Sequence, residues 1–429
     1  MKYDISKVPE LDWLKANSVN GTPEGIDSVD KEYKRTWCSI ELFNDVLEGD
    51  YNAFSACQPE ESRITVESFN EICKYVKSVL KTDDDENAMR AFLVINDLGK
   101  VDDFVKKIAD NLGFESVDHD KILYEGLKAH PEFSPTFSSL EKKYQQIILT
   151  GLCTAFNMGQ YVQCECLPAN LEPLIGIDSE SLNYYMIHVL FDIAGAAGHV
   201  NSNGSLICNE LYWKKFSFAL KTIIHMIRCH ECGGNSKLEF EALQKDGNNE
   251  IIESEIHECY GPVEAYEEYL ERTRKMFELN DGYAVVKLCN LIRVSNSKEA
   301  EEVSIAWDNL EGWVRRTLWK ELQATGIDTD SGILLYYAPA TFQNALTYYK
   351  KQSSDTAIAK TVEAVAPLIA QIYARVREAW NGEYGYVVAF ISDIAKSAMN
   401  PDSLKNLTFS LKRVGDDFKV CVELKGDND

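Results

Sequence analysis

Residues 180–199 read ESLNYYMIHVLFDIAGAAGH. The segment has the length of a helix and is apolar on nearly every side, which marks a helix central to a core rather than one lying on a surface. The chain around it repeats the helical period. Residues 64–82 place Val66, Phe69, Ile72, Cys73, Val76, Val79 and Leu80 on one face at spacings of three and four. Residues 86–96, 140–158, 211–230, 262–279, 302–323, 340–351 and 355–380 read as further helices. The acidic run Asp83-Asp84-Asp85-Glu86 suits a solvated helix start, where carboxylates meet the positive end of the macrodipole. The C-terminus breaks the pattern. Residues 407–412 and 418–424 alternate around Val414-Gly415-Asp416-Asp417, a hairpin signal. The expected fold is mainly α, a compact multi-helix domain with a small C-terminal β-hairpin. The expected organisation is an arm over residues 1–35, a helical core over 36–231, a polar Gly/Asn-rich insertion or linker over 232–258, a second helical lobe over 259–400, and the hairpin with its tail over 401–429.

Composition narrows the function. The chain has 429 residues, 45% of them hydrophobic, with 44 Lys plus Arg against 68 Asp plus Glu, a net charge of −24. Such a chain can bury a large core. It is unsuited to neutralising phosphates, so nucleic acid is not expected as a partner, nor is an anionic membrane surface. No run of 18 apolar residues and no apolar leader after Met1 is visible. Twelve Cys are scattered, several inside apolar helical segments, which reads as reduced thiols of a cytoplasmic protein. The glycine-rich phosphate loop, the dinucleotide fingerprint and the Gly-x-Ser-x-Gly elbow are all absent.

Five constellations could carry chemistry. The first is Phe92-Leu93-Val94-Ile95-Asn96-Asp97-Leu98-Gly99-Lys100-Val101, an apolar helix ending in a carboxylate and a Gly turn. His119-Asp120 follows, and Asp192 lies on the later core helix. Over roughly residues 60–200 the chain resembles the HD-domain superfamily of metal-dependent phosphohydrolases and related di-iron oxygenases, in which such a helix ends in His-Asp-Leu-Gly-Lys. The doublet here is Asn96-Asp97, and no His precedes His119. The resemblance implies Asp97, His119 and Asp192 as ligands of a divalent metal ion, His188 as a further ligand or acid–base group, and Lys100 near a substrate phosphate. Carboxylate and imidazole ligands from separate helices suit an ion that lowers the pKa of a bound water.

The second constellation is the stripe His188, Asp192, Gly195, His199 on the core helix. A buried Asp there needs a proton donor, a cation or a metal. The residues Ala194, Gly195, Ala197 and Gly198 leave room for another helix or a ligand. The third, His199 to Glu210, tracks a calcium loop with Gly204 at position six and Glu210 at twelve, but its Asn201 and Asn203 are uncharged. It reads better as an Asn-Gly turn. The fourth joins Cys229 and Cys232 with His257 and Cys259, compatible with zinc or with plain thiols. The fifth interleaves aromatics and cations: Trp213 with Lys214, Trp313 with Arg315 and Arg316, Trp319 with Lys320, and Tyr336-Tyr337.

Two functions follow as expectations. One is a metal-dependent hydrolase of a phosphate ester with altered ligands, acting on a small molecule. The other is a non-catalytic helical protein that binds a protein or small-molecule partner.

Overall fold

The computed structural model describes residues 8–16, 30–114, 116, 119–231, 260–352, 355–382 and 384–423. The expected insertion at 232–258 lies outside them, as do Cys232, His257 and Cys259. The chain divides into two compact units, residues 1–159 with 173–220, and residues 160–172 with 221–429. The division falls inside the helix Glu210–Glu231 rather than after it.

The first unit is helical. Its elements are α1 (Pro9–Ala16), α2 (Lys31–Glu48), α3 (Tyr51–Ser55), α4 (Val66–Val79), α5 (Asp83–Ile95), α6 (Asp102–Leu112), α7 (His119–Ala129), α8 (Pro135–Ser139), α9 (Lys142–Cys153), α10 (Met158–Val162), α11 (Ser179–Gly195) and α12 (Glu210–Glu231), with α10 and α12 running past the unit's limits. The core stretch quoted first is α11. It starts where the Asp178 side chain accepts the Ser181 N–H. It then packs on α2, α4, α5 and α9. Leu190 and Phe191 have no exposed surface; burial of each such side chain is worth about 1.5–3 kcal/mol. The small residues have the expected use. A Cβ on Gly195 would stand 2.6 Å from Ser39 N and 2.8 Å from Arg35 O, and one on Gly198 would stand 2.7 Å from Lys34 O. α2 therefore lies against α11 at backbone contact.

Part of the expected arm is core. Leu11 and Leu14 of α1 are buried. The buried Glu10 carboxylate accepts from Ser134 Oγ at 2.5 Å, Thr136 N at 2.8 Å and Thr136 Oγ1 at 2.7 Å. The acidic start of α5 is a reciprocal cap between Thr82 and Asp85. The calcium-like loop is a turn, as preferred. Gly204 takes φ 95°, and Glu210 accepts from Thr65 N at 2.8 Å and Ser68 Oγ at 3.1 Å, serving the start of α4.

The second unit contains α13 (Pro262–Met276), α14 (Tyr283–Ile292), α15 (Ser297–Asn309), α16 (Gly312–Gln323), β1 (Gly332–Tyr336), α17 (Ala338–Lys351), α18 (Ala357–Ala379), β2 (Tyr386–Phe390), α19 (Ser392–Ser397), β3 (Thr408–Val414) and β4 (Asp417–Glu423). The hairpin forms as expected, with Ser410 opposite Cys421 and Val414 opposite Asp417. It extends into a four-stranded sheet of order β1-β2-β4-β3, in which β1–β2 and β2–β4 are parallel. The segment 302–323 is broken rather than continuous. Leu310 and Glu311 turn extended at ψ 150° and 142°, and α16 restarts at Gly312. α18 is long and apolar enough by composition to cross a membrane. Most of it is buried, against α15, α16 and α17.

Candidate functional site

The first unit gathers its buried charges where α2, the end of α5 and α11 meet. α5 stops at Asn96, and Asp97-Leu98-Gly99-Lys100 folds into a single 3₁₀ turn. That turn aims Asp97 and Lys100 the same way. Lys100 Nζ lies 2.5 Å from Asp97 Oδ1 and 3.2 Å from Glu32 Oε2. Glu32 also pairs with Arg35 one helical turn on, at 3.2 Å. Both carboxylates are almost wholly buried, and Lys100 and Arg35 are each about four-fifths buried.

Asp192 joins from α11. Asn96 Nδ2 donates to Asp192 Oδ1 at 2.8 Å. One turn earlier on the same pair of helices, His188 stacks on Phe92 with ring centroids 3.7 Å apart. The 96–192 and 92–188 contacts are thus successive rungs between α5 and α11, which follows from i,i+4 spacing on both.

Burial and charge set the protonation states. Burial alone would raise the Asp97 carboxyl, but Lys100 and Arg35, with a smaller effect from His119, hold it well below the usual carboxylate range. Asp192 moves the other way, lifted by burial and by the Asp97 charge against the opposing pull of Arg35 and Lys100. Burial works against the Lys100 ammonium, and Asp97 and Glu32 more than offset it. Arg35 behaves alike, its charge kept by Asp97, Glu32 and Asp192. His188 has weaker support, from Asp97 alone, and burial outweighs it. Burial pulls it down to about 3, so it is neutral near pH 7.

Four of the five expected site residues, Asp97, Lys100, His188 and Asp192, share this cluster. The fifth, His119, is held beside it by a backbone contact. Gly99 packs so closely on His119 that a Cβ at position 99 would overlap the His119 carbonyl oxygen. The His119 side chain is partly exposed, with Nε2 at 3.3 Å from Asp120 Oδ1. Among the described residues no three His, Cys, Asp or Glu side chains converge so as to hold a metal ion. As the donors stand, Asp97 is committed to Lys100, Asp192 accepts from Asn96, and His119 faces Asp120. Cys229 is buried on α12; its three expected zinc partners lie outside the described residues. Of the aromatic–basic set, Trp213 is core, stacked on Phe216 with its N–H on Glu71 at 3.0 Å.

Sequence reasoning missed Glu32 and Arg35, because both fell in the supposed arm. Their i,i+3 spacing at the start of a helical run was the available signal. Several polar atoms at the cluster lack a protein partner: His188 Nδ1 and Nε2, Asn96 Oδ1, Thr36 Oγ1 and Arg35 Nε. The same unit carries a groove of about 290 Å³ between α7 and α9, lined by Tyr124, Lys128, Leu149, Thr150, Cys153 and Ile177 among others.

Residues 29–236 and 248–399 match one family model, described as a family of unknown function (DUF6829). No curated protein and no solved structure matches the chain.

Proposed function

The chain belongs to that family, whose description assigns no activity, and from the geometry we propose that it is a non-catalytic helical protein that binds a small-molecule or protein partner. Its first unit is read as an HD-like bundle in which Lys100 and Arg35 supply the positive charge that a divalent cation would otherwise bring. The observation that carries this is the 2.5 Å contact between Lys100 Nζ and Asp97 Oδ1, flanked by Glu32 and Arg35. An ammonium and a guanidinium neutralise buried carboxylates, but they do not polarise a water as a Lewis acid does. The hydrogen bond between Asn96 and Asp192 supports the likeness to the superfamily's doublet and closing Asp. A small-molecule partner has the 290 Å³ groove at hand, near the lower end of ligand pockets. The charge of −24 suits basic protein surfaces.

The test is turnover of a panel of phosphate esters with Mn²⁺, Mg²⁺, Fe²⁺ or Zn²⁺ added. The reading expects no turnover above the Asp97→Ala background. It also expects small-molecule fragments detected by ligand-observed NMR to lose their signal in Leu149→Arg. Metal-dependent turnover that disappears in Asp97→Ala would overturn it. That outcome belongs to the second reading, a metal-dependent phosphohydrolase or related oxygenase. The specific observation in its favour is the pair of unpartnered His188 ring nitrogens beside the unpartnered Asn96 Oδ1, since buried polar atoms of this kind call for a partner.

A further inference from the structure

α14 in the second unit is buried at every position from Ala284 to Ile292, and one of those positions is a lysine. Lys287 Nζ donates to the Leu322 carbonyl at the end of α16. It also sits 4.5 Å from the centroid of the Tyr266 ring. An ammonium has three protons to place. One carbonyl and one ring face leave it short, and no carboxylate forms an ion pair with it among the described residues. Burial accordingly pushes the Lys287 amine down, towards the neutral, nucleophilic form.

Lys287 lines a cavity of about 20 Å³. Roughly 10–15 Å³ suffices for one water, so this one admits one or two water-sized groups and no ordinary organic substrate. Glu165 lines the same cavity. Its carboxylate accepts from the backbone N–H groups of Tyr337 and Ala338, at the start of α17. Burial raises it to about 7, so it takes up a proton readily near neutrality. Two non-glycine residues held in the left-handed region frame this carboxylate, Cys164 at φ 57° and Tyr337 at φ 81°. Such conformations cost free energy and gather at functional sites. Tyr373 lines the cavity from α18.

We propose that Lys287 is a site of reversible carboxylation by carbon dioxide, with Glu165 as the proton acceptor. The amine lone pair forms an N–C bond to the CO₂ carbon. One C=O bond opens to give the carboxylate charge, and one amine proton passes to Glu165. Neutral amine, CO₂ and carboxylate become carbamate and carboxylic acid, with every atom and charge accounted for. The net charge of the cavity is the same before and after, which removes the main obstacle to making an anion in a buried site. The remaining carbamate N–H still serves the Leu322 carbonyl. The new Glu165 O–H is a donor for a carbamate oxygen. CO₂ suits the space because it is small, uncharged and free of a leaving group, so it crosses apolar lining such as Leu291, Ile333 and Leu335 without losing strong hydration.

The test uses the full-length protein equilibrated with ¹³C-labelled bicarbonate and CO₂. Carbamates are trapped with a trialkyloxonium salt and located by peptide mass spectrometry. The expected result is an alkylated ¹³C-carbamate on the peptide holding Lys287, absent in Lys287→Met and cut severalfold in Glu165→Gln. Folding of the variants does not decide the matter, because the wild-type adduct is assigned by its own peptide. An adduct confined to the α-amino terminus and surface lysines of the wild-type protein, with Lys287 unmodified, would overturn the proposal.

Discussion

Replacing Lys100 by Met keeps the bulk of the side chain and deletes its charge. Asp97 Oδ1 then loses a partner at 2.5 Å and Glu32 Oε2 one at 3.2 Å, both on carboxylates that are almost fully buried. Removing one member of a buried pair costs about 3–5 kcal/mol. Arg35 still holds Glu32 and still lies close to Asp97, so the low end applies, about 3 kcal/mol. Two compact units need not unfold in one step, so a whole-chain transition is the wrong readout. Amide exchange followed by mass spectrometry on peptides covering α5 and α11 reports the first unit directly. At 1.4 kcal/mol per decade, exchange there speeds up by roughly a hundredfold. Adding Asp97→Asn removes the orphaned charge, and the double variant recovers about 2 kcal/mol of the loss relative to additivity. Exchange in Lys100→Met within a factor of two of wild type would refute the ion-pair account. So would a double variant that loses the full sum of the two single changes.

Other consequences follow from the same contacts. His188 is held to about 3 against 6.5 in an unfolded chain, so the folded form binds fewer protons. The stability this gives is present above pH 6.5 and drains away as pH falls towards 3, at about 1.4 kcal/mol per unit. Asp97, from the facing turn, acts in the same sense at lower pH, and Asp192 on the same helix acts in the opposite sense. His188→Leu should flatten the acid limb of first-unit stability between neutral pH and the carboxylate range, as measured by amide exchange on first-unit peptides; an unchanged slope would count against a buried neutral imidazole. Gly99→Ala forces the turn off the His119 carbonyl and Gly195→Ala forces α2 from α11, each at about 1–3 kcal/mol, read as faster amide exchange in first-unit peptides. Glu10→Ala strips three hydrogen bonds that join α1 to the start of α8 and should expose Leu11 and Leu14 to proteolysis.

Much of this architecture is written locally. The 3.6-residue period marks α4, α11 and α18 because each must present apolar residues to neighbours whatever those neighbours are. The hairpin shows because β3 and β4 are partly solvated and therefore alternate. β1 and β2 do not. Gly332–Tyr336 and Tyr386–Phe390 lie in the parallel part of the sheet, and such strands read as short apolar runs that a buried helix shares. The break at Leu310 was hidden for a related reason: the apolar spacing continues through it, while the backbone turns to bury Leu310. In the candidate site, Asp97, Lys100, His188 and Asp192 stand out because ionisable residues in apolar helices are conspicuous. Glu32 and Arg35 stand out only once the fold has brought α2 across α11. Their importance comes from Lys100, 68 positions away from Glu32 in the chain, and no local pattern encodes a pairing of that range.

Metal content of the purified, untagged protein, set against its Asp97→Ala and Asp192→Ala variants by elemental mass spectrometry, tests the central claim most directly. If Lys100 and Arg35 neutralise the cluster, Fe, Mn, Zn and other transition metals stay far below one per chain in all three proteins, and chelator leaves exchange in α5 and α11 unchanged. Near-stoichiometric metal in the wild-type protein, lost in both variants, would contradict the account and return the cluster to metal chemistry.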